Sequence, residues 1–374
     1  MSVLVHCASM RVWTVGLLVF VAVTTPRVHA TQESRPSFSE FLAGIRSEAI
    51  ERGIRLEIVE EALSNLQEPV PTVIERDRSQ AETVLSLETY LTRRLTPALV
   101  KSGRLAFAKH RLLLDEVSAR YGIPSEVIVA IWGFESNFGS FSGVRPTIAA
   151  LATLAWDPRR SAFFRSELFA ALQILDRGDI ELTRMRGSWA GAMGQLQFMP
   201  SSFLKFAEDY DGDGRRDIWS SPPDIFASVG NYLKGNGWIA GQAWGREVRV
   251  PEAATGTIAG TVARRTGSCQ ATRDMTVSLP ITEWRRLGVR LPDGRDLPDS
   301  TPDAALVSGT TRHFLVHHNY DALLDYNCAH SYAIGVGLLA ARLSGEDPPA
   351  ASKNAKRKPA KPAKKKPASA TSRK

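Results

Sequence analysis

Residues 128–139 read Ile-Val-Ala-Ile-Trp-Gly-Phe-Glu-Ser-Asn-Phe-Gly, and Glu135 is the one acid in the run. Val127, Ile128, Ile131 and Glu135 follow the i, i+3/i+4 spacing of a single helix face. Three of the four are apolar, so the spacing predicts a helix whose stripe meets a core and ends at Glu135. Pro124 suits the first turn of this helix and Gly139 its stop. A carboxylate so placed loses water and lies near the negative end of the helix dipole. Both effects raise its pKa. A carboxylic acid still protonated near neutral pH is what a general acid requires.

A second run, Gly187-Ser-Trp-Ala-Gly-Ala-Met-Gly-Gln-Leu-Gln-Phe-Met-Pro-Ser201, has a different composition. Its glycines permit close backbone approach. Its Ser, Gln and aromatic side chains offer neutral hydrogen-bonding groups beside flat apolar faces. That mixture suits sugar rings, which have polar rims and apolar faces. Tight helix packing would account for the Gly and Ala residues but not for Gln195 and Gln197.

Outward from these two runs the chain is mostly helical in pattern. Phe38–Ser47, Arg55–Leu63 and Arg104–Tyr121 show helical apolar spacing. So do the stretches from Ile148 to Leu154, from Ser161 to Arg177 and from Phe203 to Glu208. Ser221-Pro-Pro-Asp224 precedes a further helix that ends near Gly235-Asn236-Gly237. From about Glu247 short β-type runs alternate with Gly and Pro turns. Ser331–Leu343 reads as a final helix. The expected class is α+β, predominantly α-helical. The expected divisions are a leader over 1–30, a helical region over 31–120 and a central core over 121–246. A small β-rich section over 247–320, a returning helix over 321–345 and a basic Lys/Pro/Ala tail over 346–374 follow.

The 374 residues carry a formal net charge of +8, but the charge is uneven. The tail from Pro348 holds ten Lys and Arg and no acids. Without the tail, and without Arg11 and Arg27 of the leader, the remainder sits at about −4. The basic balance therefore belongs to the tail, and no specific nucleic-acid groove is implied for the core. The tail reads as disordered, either a tether to anionic envelope surfaces or a solubilising extension. Arg11, the apolar stretch Val12–Val23 and Val28-His29-Ala30 read as an export signal with its cleavage site, the rival reading being an uncleaved anchor. Cys269 and Cys328 then remain in the mature chain. They are expected either as a disulfide, in keeping with an exported protein, or as two buried thiols.

Several further segments join these two runs in a resemblance. Trp132–Gly139, Ala150-Leu-Ala-Thr-Leu154, Arg159-Arg160, Gly187–Ser201, Asn231-Tyr-Leu233 and Tyr326-Asn327 resemble the lytic murein transglycosylase B family in order and approximate spacing, over about residues 35–343. The resemblance implies a lysozyme-like catalytic core with added helical and β-rich parts. It implies cleavage of the β-1,4 bond between N-acetylmuramic acid and N-acetylglucosamine in peptidoglycan glycan strands, leaving a 1,6-anhydro end. It makes Glu135 the acid and then the base, without a cofactor for catalysis, in a periplasmic protein expected to be a monomer. It places Ser188, Met193, Gln195, Gln197, Phe198, Tyr90, Tyr232, Tyr326, Asn327 and Tyr332 at the sugar-binding cleft. Arg159 and Arg160 would hold a muramyl or peptide carboxylate, the alternative being surface salt bridges. Where the family commonly has serine, two residues after the Tyr-Asn pair, this chain has Ala329.

Asp209-Tyr-Asp-Gly-Asp-Gly-Arg-Arg-Asp217 resembles a calcium loop, with ligands expected from Asp209, Asp211, Asp213, the Arg215 backbone and Asp217. Its twelfth position is Ser220 rather than Glu, which leaves either Asp224 as a substitute or no ion at all. His313, His317 and His318 have no zinc spacing and are expected on the surface of the β-rich section. A hydrolytic muramidase and a non-catalytic peptidoglycan-binding scaffold are the competing functional expectations.

Overall fold

The computed structural model describes residues 35–79 and 85–345; the expected leader and tail lie outside the described residues. Short helices come first: α1 (Phe38–Glu51), α2 (Leu56–Leu63), α3 (Pro71–Ser79), α4 (Leu87–Arg94), α5 (Pro97–Lys109) and α6 (Arg111–Tyr121). Phe38, Leu42, Ile45 and Ala49 form the buried stripe of α1, and Val59, Ala62 and Leu63 that of α2. Ser86 caps α4 by accepting the Thr89 N–H, and Thr96 caps α5 by accepting that of Leu99, with Pro97 at the first turn. The single helix expected over Arg104–Tyr121 is in fact two. The chain breaks at His110, whose ring sits edge-on to Trp132 and Phe226 at 5.8 and 5.4 Å.

The central body follows, as α7 (Ser125–Ser136), β1 (Arg145–Pro146), α8 (Thr147–Trp156), α9 (Ser161–Arg177), β2 (Arg186–Gly187), α10 (Pro200–Phe206) and α11 (Pro222–Gly235). The apolar stripe expected for α7 is a full sleeve: every residue from Val127 to Phe134 is buried. Helices α5, α6 and α11 pack around it. A helix that is apolar all round belongs at the centre of a domain, and the i, i+4 spacing of Glu135 is then only part of its environment. The stop also differs from expectation. It comes at Asn137, and Asn137, Phe138 and Gly139 are left-handed in succession, at φ of 51°, 57° and 80°. The turn folds the Phe138 ring back beneath α7, where a Cβ on Gly133 would lie 2.6 Å from it.

The section after α11 contains β3 (Gly245–Val248), α12 (Glu252–Thr261), α13 (Gln270–Asp274), α14 (Ile281–Arg286), β4 (Ala305–Ser308) and β5 (His313–Val316). The strands form one antiparallel sheet in the order β3-β5-β4, with Glu247 opposite Phe314 and Leu306 opposite Leu315. The sheet begins at Gly245, slightly before the expected boundary, and three helices share the section with it. Its own core includes Trp284, Val289, Leu306 and Leu315. The histidines are not all at its surface: His317 is buried and bonded through Nδ1 to the Asp303 carbonyl at 3.1 Å.

The last described part is a helix pair, α15 (Asn319–Tyr326) and α16 (His330–Leu343), rather than one helix. Helix α16 lies along α7, α4 and α5. Gly335 makes that approach close, because a Cβ there would meet the Phe134 ring at 2.7 Å. Cys269, at the start of α13, and Cys328, between α15 and α16, are joined by a disulfide with Cα atoms 5.9 Å apart.

Glycine substitutions test this packing. Gly335→Ala should cost roughly 1–3 kcal/mol through forced displacement of Phe134. Gly256→Ala, on an exposed part of α12 with open space around the added carbon, should gain roughly 0.5–1 kcal/mol. Urea unfolding of both variants checks the contrast in sign.

Candidate active site

Glu135 occupies the last turn of α7, and the elements around it converge from distant parts of the chain. Helix α4 brings Tyr90 and Arg94, α15 brings Tyr326 and α16 brings Tyr332; all four act electrostatically with Glu135. Part of the residue remains open to solvent, but its carboxyl lies deep enough that desolvation dominates. Burial pushes its pKa from 4.5 up to about 7, against weaker lowering by the Tyr332 hydroxyl and the Arg94 charge. The Tyr332 hydroxyl acts on the carboxyl without forming a well-aligned hydrogen bond, and it has no other partner among the described residues. Among the described residues, no second carboxylate acts on Glu135.

An aromatic wall continues from this point. The Phe134 ring stands edge-on to Tyr332 at 5.7 Å, and Tyr332 stacks on Tyr326 at 6.2 Å. Tyr326 meets Tyr232 at 4.7 Å, and Phe198 packs against both. Two of the tyrosine hydroxyls are spent on fixing backbone: Tyr326 donates to the Leu196 carbonyl at 2.9 Å and Tyr232 to that of Asp325 at 2.7 Å. The first of these bonds ties the Gly187–Ser201 run to the helix pair that carries Tyr332.

The run itself is a folded loop with short bridges between Gly187 and Met193 and between Met193 and Phe198. Gly187 lacks room for a side chain, because a Cβ would lie 2.2 Å from the Ala192 carbonyl oxygen. Ser188 Oγ accepts the N–H groups of Ala190 and Ala192 at 3.2 and 3.1 Å. Its own O–H is thereby left to donate elsewhere. Gln197 holds a left-handed φ of 50° and donates to the carbonyls of Gly194 and Ser142. The second bond joins the run to the loop that follows α7. Gly139 approaches the run as well, since a Cβ there would lie 2.5 Å from Gln195 Oε1.

The structure redistributes several expected binding residues. Gln195 is a brace: its Oε1 accepts the Trp132 indole N–H at 2.7 Å and its amide nitrogen donates to the Trp219 carbonyl at 2.7 Å. Met193 is fully buried, and Phe198 is the floor of the aromatic wall at 2% exposure. Asn327 is exposed between α15 and α16, and Tyr90 is half-buried on α4. Arg159 and Arg160 both engage the buried carboxylate of Asp77, Arg159 through Nε at 2.7 Å. Each keeps its side chain more than 40% exposed, so one carboxylate anchors two cations that still face solvent.

The acidic loop is organised mainly by its own backbone. Carboxylate oxygens of Asp209, Asp211 and Asp213 lie within 4.8 Å of one another. Asp224 is not a free ligand: it is buried and accepts the N–H groups of Tyr210 at 2.8 Å and Asp217 at 2.7 Å. Asp217 accepts from Trp219 and Ser220. The donor set fits a hard cation through three carboxylates and lacks the bidentate acid that completes a strong calcium loop.

The model of the transglycosylase SLT domain matches residues 37–341. The chain belongs to that family. It is 38% identical over 153 residues to the membrane-bound lytic murein transglycosylase B of Escherichia coli K12, an alignment that spans 41% of this chain and 42% of that relative. SltB3 of Pseudomonas aeruginosa, solved in complex with NAG-anhNAM-pentapeptide, superposes with a TM-score of 0.75 at 42% identity, covering 83% of this chain and 80% of that one. The lytic transglycosylase Slt35 of Escherichia coli, solved with calcium, gives 0.67 at 25% identity, covering 84% and 94%. The fold is that of the lysozyme-like lytic transglycosylases, predominantly helical with small sheets.

Arg94 was not legible as a site residue. In sequence it is one basic residue at the end of a short polar helix; only the fold brings it to the Phe134 carbonyl.

The raised pKa has a stability consequence with a definite sign. The folded state holds a proton on Glu135 between pH 4.5 and about 7, where the unfolded chain has lost it. Wild-type stability should therefore fall as pH rises through that window and level off above it. Glu135→Gln lacks the term, so its melting temperature should rise relative to wild type across the same window, as measured by calorimetry from pH 4 to 8.

Proposed function

We propose that the chain is a peptidoglycan lytic transglycosylase in which Glu135 alone serves as acid and then base. The observation that carries this reading is one desolvated carboxyl, its pKa raised to about 7 by burial, with no second carboxylate among the described residues acting on it. Glycosidases that use water pair two carboxyl groups across the bond. A single acid suffices where the substrate provides its own nucleophile.

In the proposed cycle the protonated Glu135 gives its proton to the glycosidic oxygen as the C1–O bond breaks. The N-acetyl group of the same muramic residue stabilises the positive charge at C1. The Glu135 carboxylate then takes the proton of the C6 hydroxyl while that oxygen bonds to C1. The sugar leaves as a 1,6-anhydro end and the carboxyl returns to its starting form. Ser188, with its O–H free to donate, would orient the N-acetyl group or the C6 hydroxyl. The Asp77-anchored pair Arg159 and Arg160 would meet a muramyl or peptide carboxylate. That role is supported by their exposure and by the P. aeruginosa structure bound to a pentapeptide-bearing fragment.

Asp209, Asp211 and Asp213 would hold calcium in a structural role, an assignment supported by their clustering and by the calcium-bound E. coli structure. Residues 1–30 would direct the chain to the periplasm, where its substrate lies. No helix among the described residues is long and apolar enough to cross a membrane.

Mass spectrometry of sacculus digests tests the reading. Wild type should release fragments lighter by one water than their reducing-end counterparts, and Glu135→Gln should release none. Reducing ends as the sole product would support hydrolysis instead, and normal digestion by the variant would remove Glu135 from its role.

A further inference from the structure

The turn that ends α7 leaves the Phe134 carbonyl without a backbone partner. Asn137 N–H bonds to Gly133 and Phe138 N–H reaches back to Trp132, so the ladder passes over Phe134. The residue passed over is the one immediately before Glu135. Among the described residues, the Arg94 guanidinium supplies the missing donor, bonding the Phe134 carbonyl from α4. The same guanidinium lies over the Phe134 ring with its central carbon 5.2 Å from the centroid. Arg94 is half-buried, and no described carboxylate comes within salt-bridge distance of it. Among the described residues its charge is therefore not neutralised by an ion pair, and it sits against the turn that carries the acid.

Helix α4 is itself held at its other end. Glu88 Oε1 accepts the N–H groups of Thr311 and Arg312 from the loop between β4 and β5, at 2.7 and 3.1 Å. Tyr90 and Arg94, one turn apart, thus project from a helix gripped at both ends.

We propose that Arg94 is a positioning residue for the reaction: it fixes the last turn of α7 through the Phe134 carbonyl and stabilises the Glu135 carboxylate formed when the proton leaves. This rests on Glu135 being the acid and base. The groups facing Glu135 are Tyr90 and Arg94 from α4, Tyr326 from α15 and Tyr332 from α16, with His110 a turn away against Trp132. The three tyrosines have their pKa values raised by burial and stay neutral throughout the working range, and burial lowers that of His110. Arg94 is thus the one fixed cation of the set. Without it the carboxylate is harder to form, in the reaction and in the resting protein alike.

The test compares wild type, Arg94→Lys and Arg94→Gln, reading the pH profile of anhydro-product release from sacculi. Gln keeps a donor for the carbonyl and removes the charge; Lys keeps the charge and loses the planar grip. Arg94→Gln should move the basic limb of kcat upward by roughly half a unit or more. It should also lower kcat roughly tenfold with KM little changed. Arg94→Lys should retain the wild-type limb. A limb that stays in place in folded Arg94→Gln, or one that moves equally in Arg94→Lys, overturns the proposal. If Arg94→Gln does not fold, the Lys profile decides, since a displaced limb there shows that the charge does not set it. Glu135→Gln, run in parallel, separates the two claims: cleavage by that variant refutes the transglycosylase reading, whereas its inactivity beside an unmoved Arg94→Gln limb refutes only the role of Arg94.

Discussion

Withdrawal of the Glu135 carboxyl from water is the constraint on which the remaining arrangement depends. Desolvation favours the neutral acid, and the C-terminal end of α7 adds the unfavourable field of the helix dipole. Neither acts unless the end of the helix is enclosed. Enclosure comes from making α7 the axis of the fold, with buried residues from Val127 to Phe134 and neighbouring helices on its sides. The glycines mark the cost of this closeness: Gly133 admits the Phe138 ring, and Gly335 on α16 admits that of Phe134. A carboxyl at the surface of an ordinary amphipathic helix would ionise near the usual 4.5 and be a base only.

The rest of the site is assembled by polar braces between segments far apart in sequence. Gln195 spans Trp132 and Trp219, Tyr326 holds the Leu196 carbonyl, and Tyr232 holds that of Asp325. The Gln195 and Tyr326 bonds set the loop from Gly187 to Ser201 against the acid, and the Tyr232 bond ties α11 to α15. The substrate-facing polar groups, among them the Ser188 hydroxyl, are positioned by this scaffolding.

Much of this was legible in advance because local signals were strong. The acid stranded in an apolar run, the Gly- and Gln-rich loop and the tyrosines of the helix pair are unusual residue choices for bland structure. What stayed hidden depends on tertiary contact. Spacing alone suggested an apolar stripe on α7, and only packing reveals a sleeve. Gln195 and Met193 belong to the same run as Ser188, yet the fold turns one inward as a brace and the other into the core. The arginine pair was visible, but its anchor Asp77 lies about eighty positions earlier. The break at His110 has no Gly or Pro to announce it; its ring packs against two aromatics from other helices.

The central claim is that burial keeps Glu135 protonated near neutral pH. Carbon-13 NMR of the side-chain carboxyls of glutamate-labelled protein, assigned by loss of a signal in Glu135→Gln, measures this directly. Burial of the carboxyl predicts a titration midpoint at about 7. A midpoint near the ordinary 4.5 would contradict it.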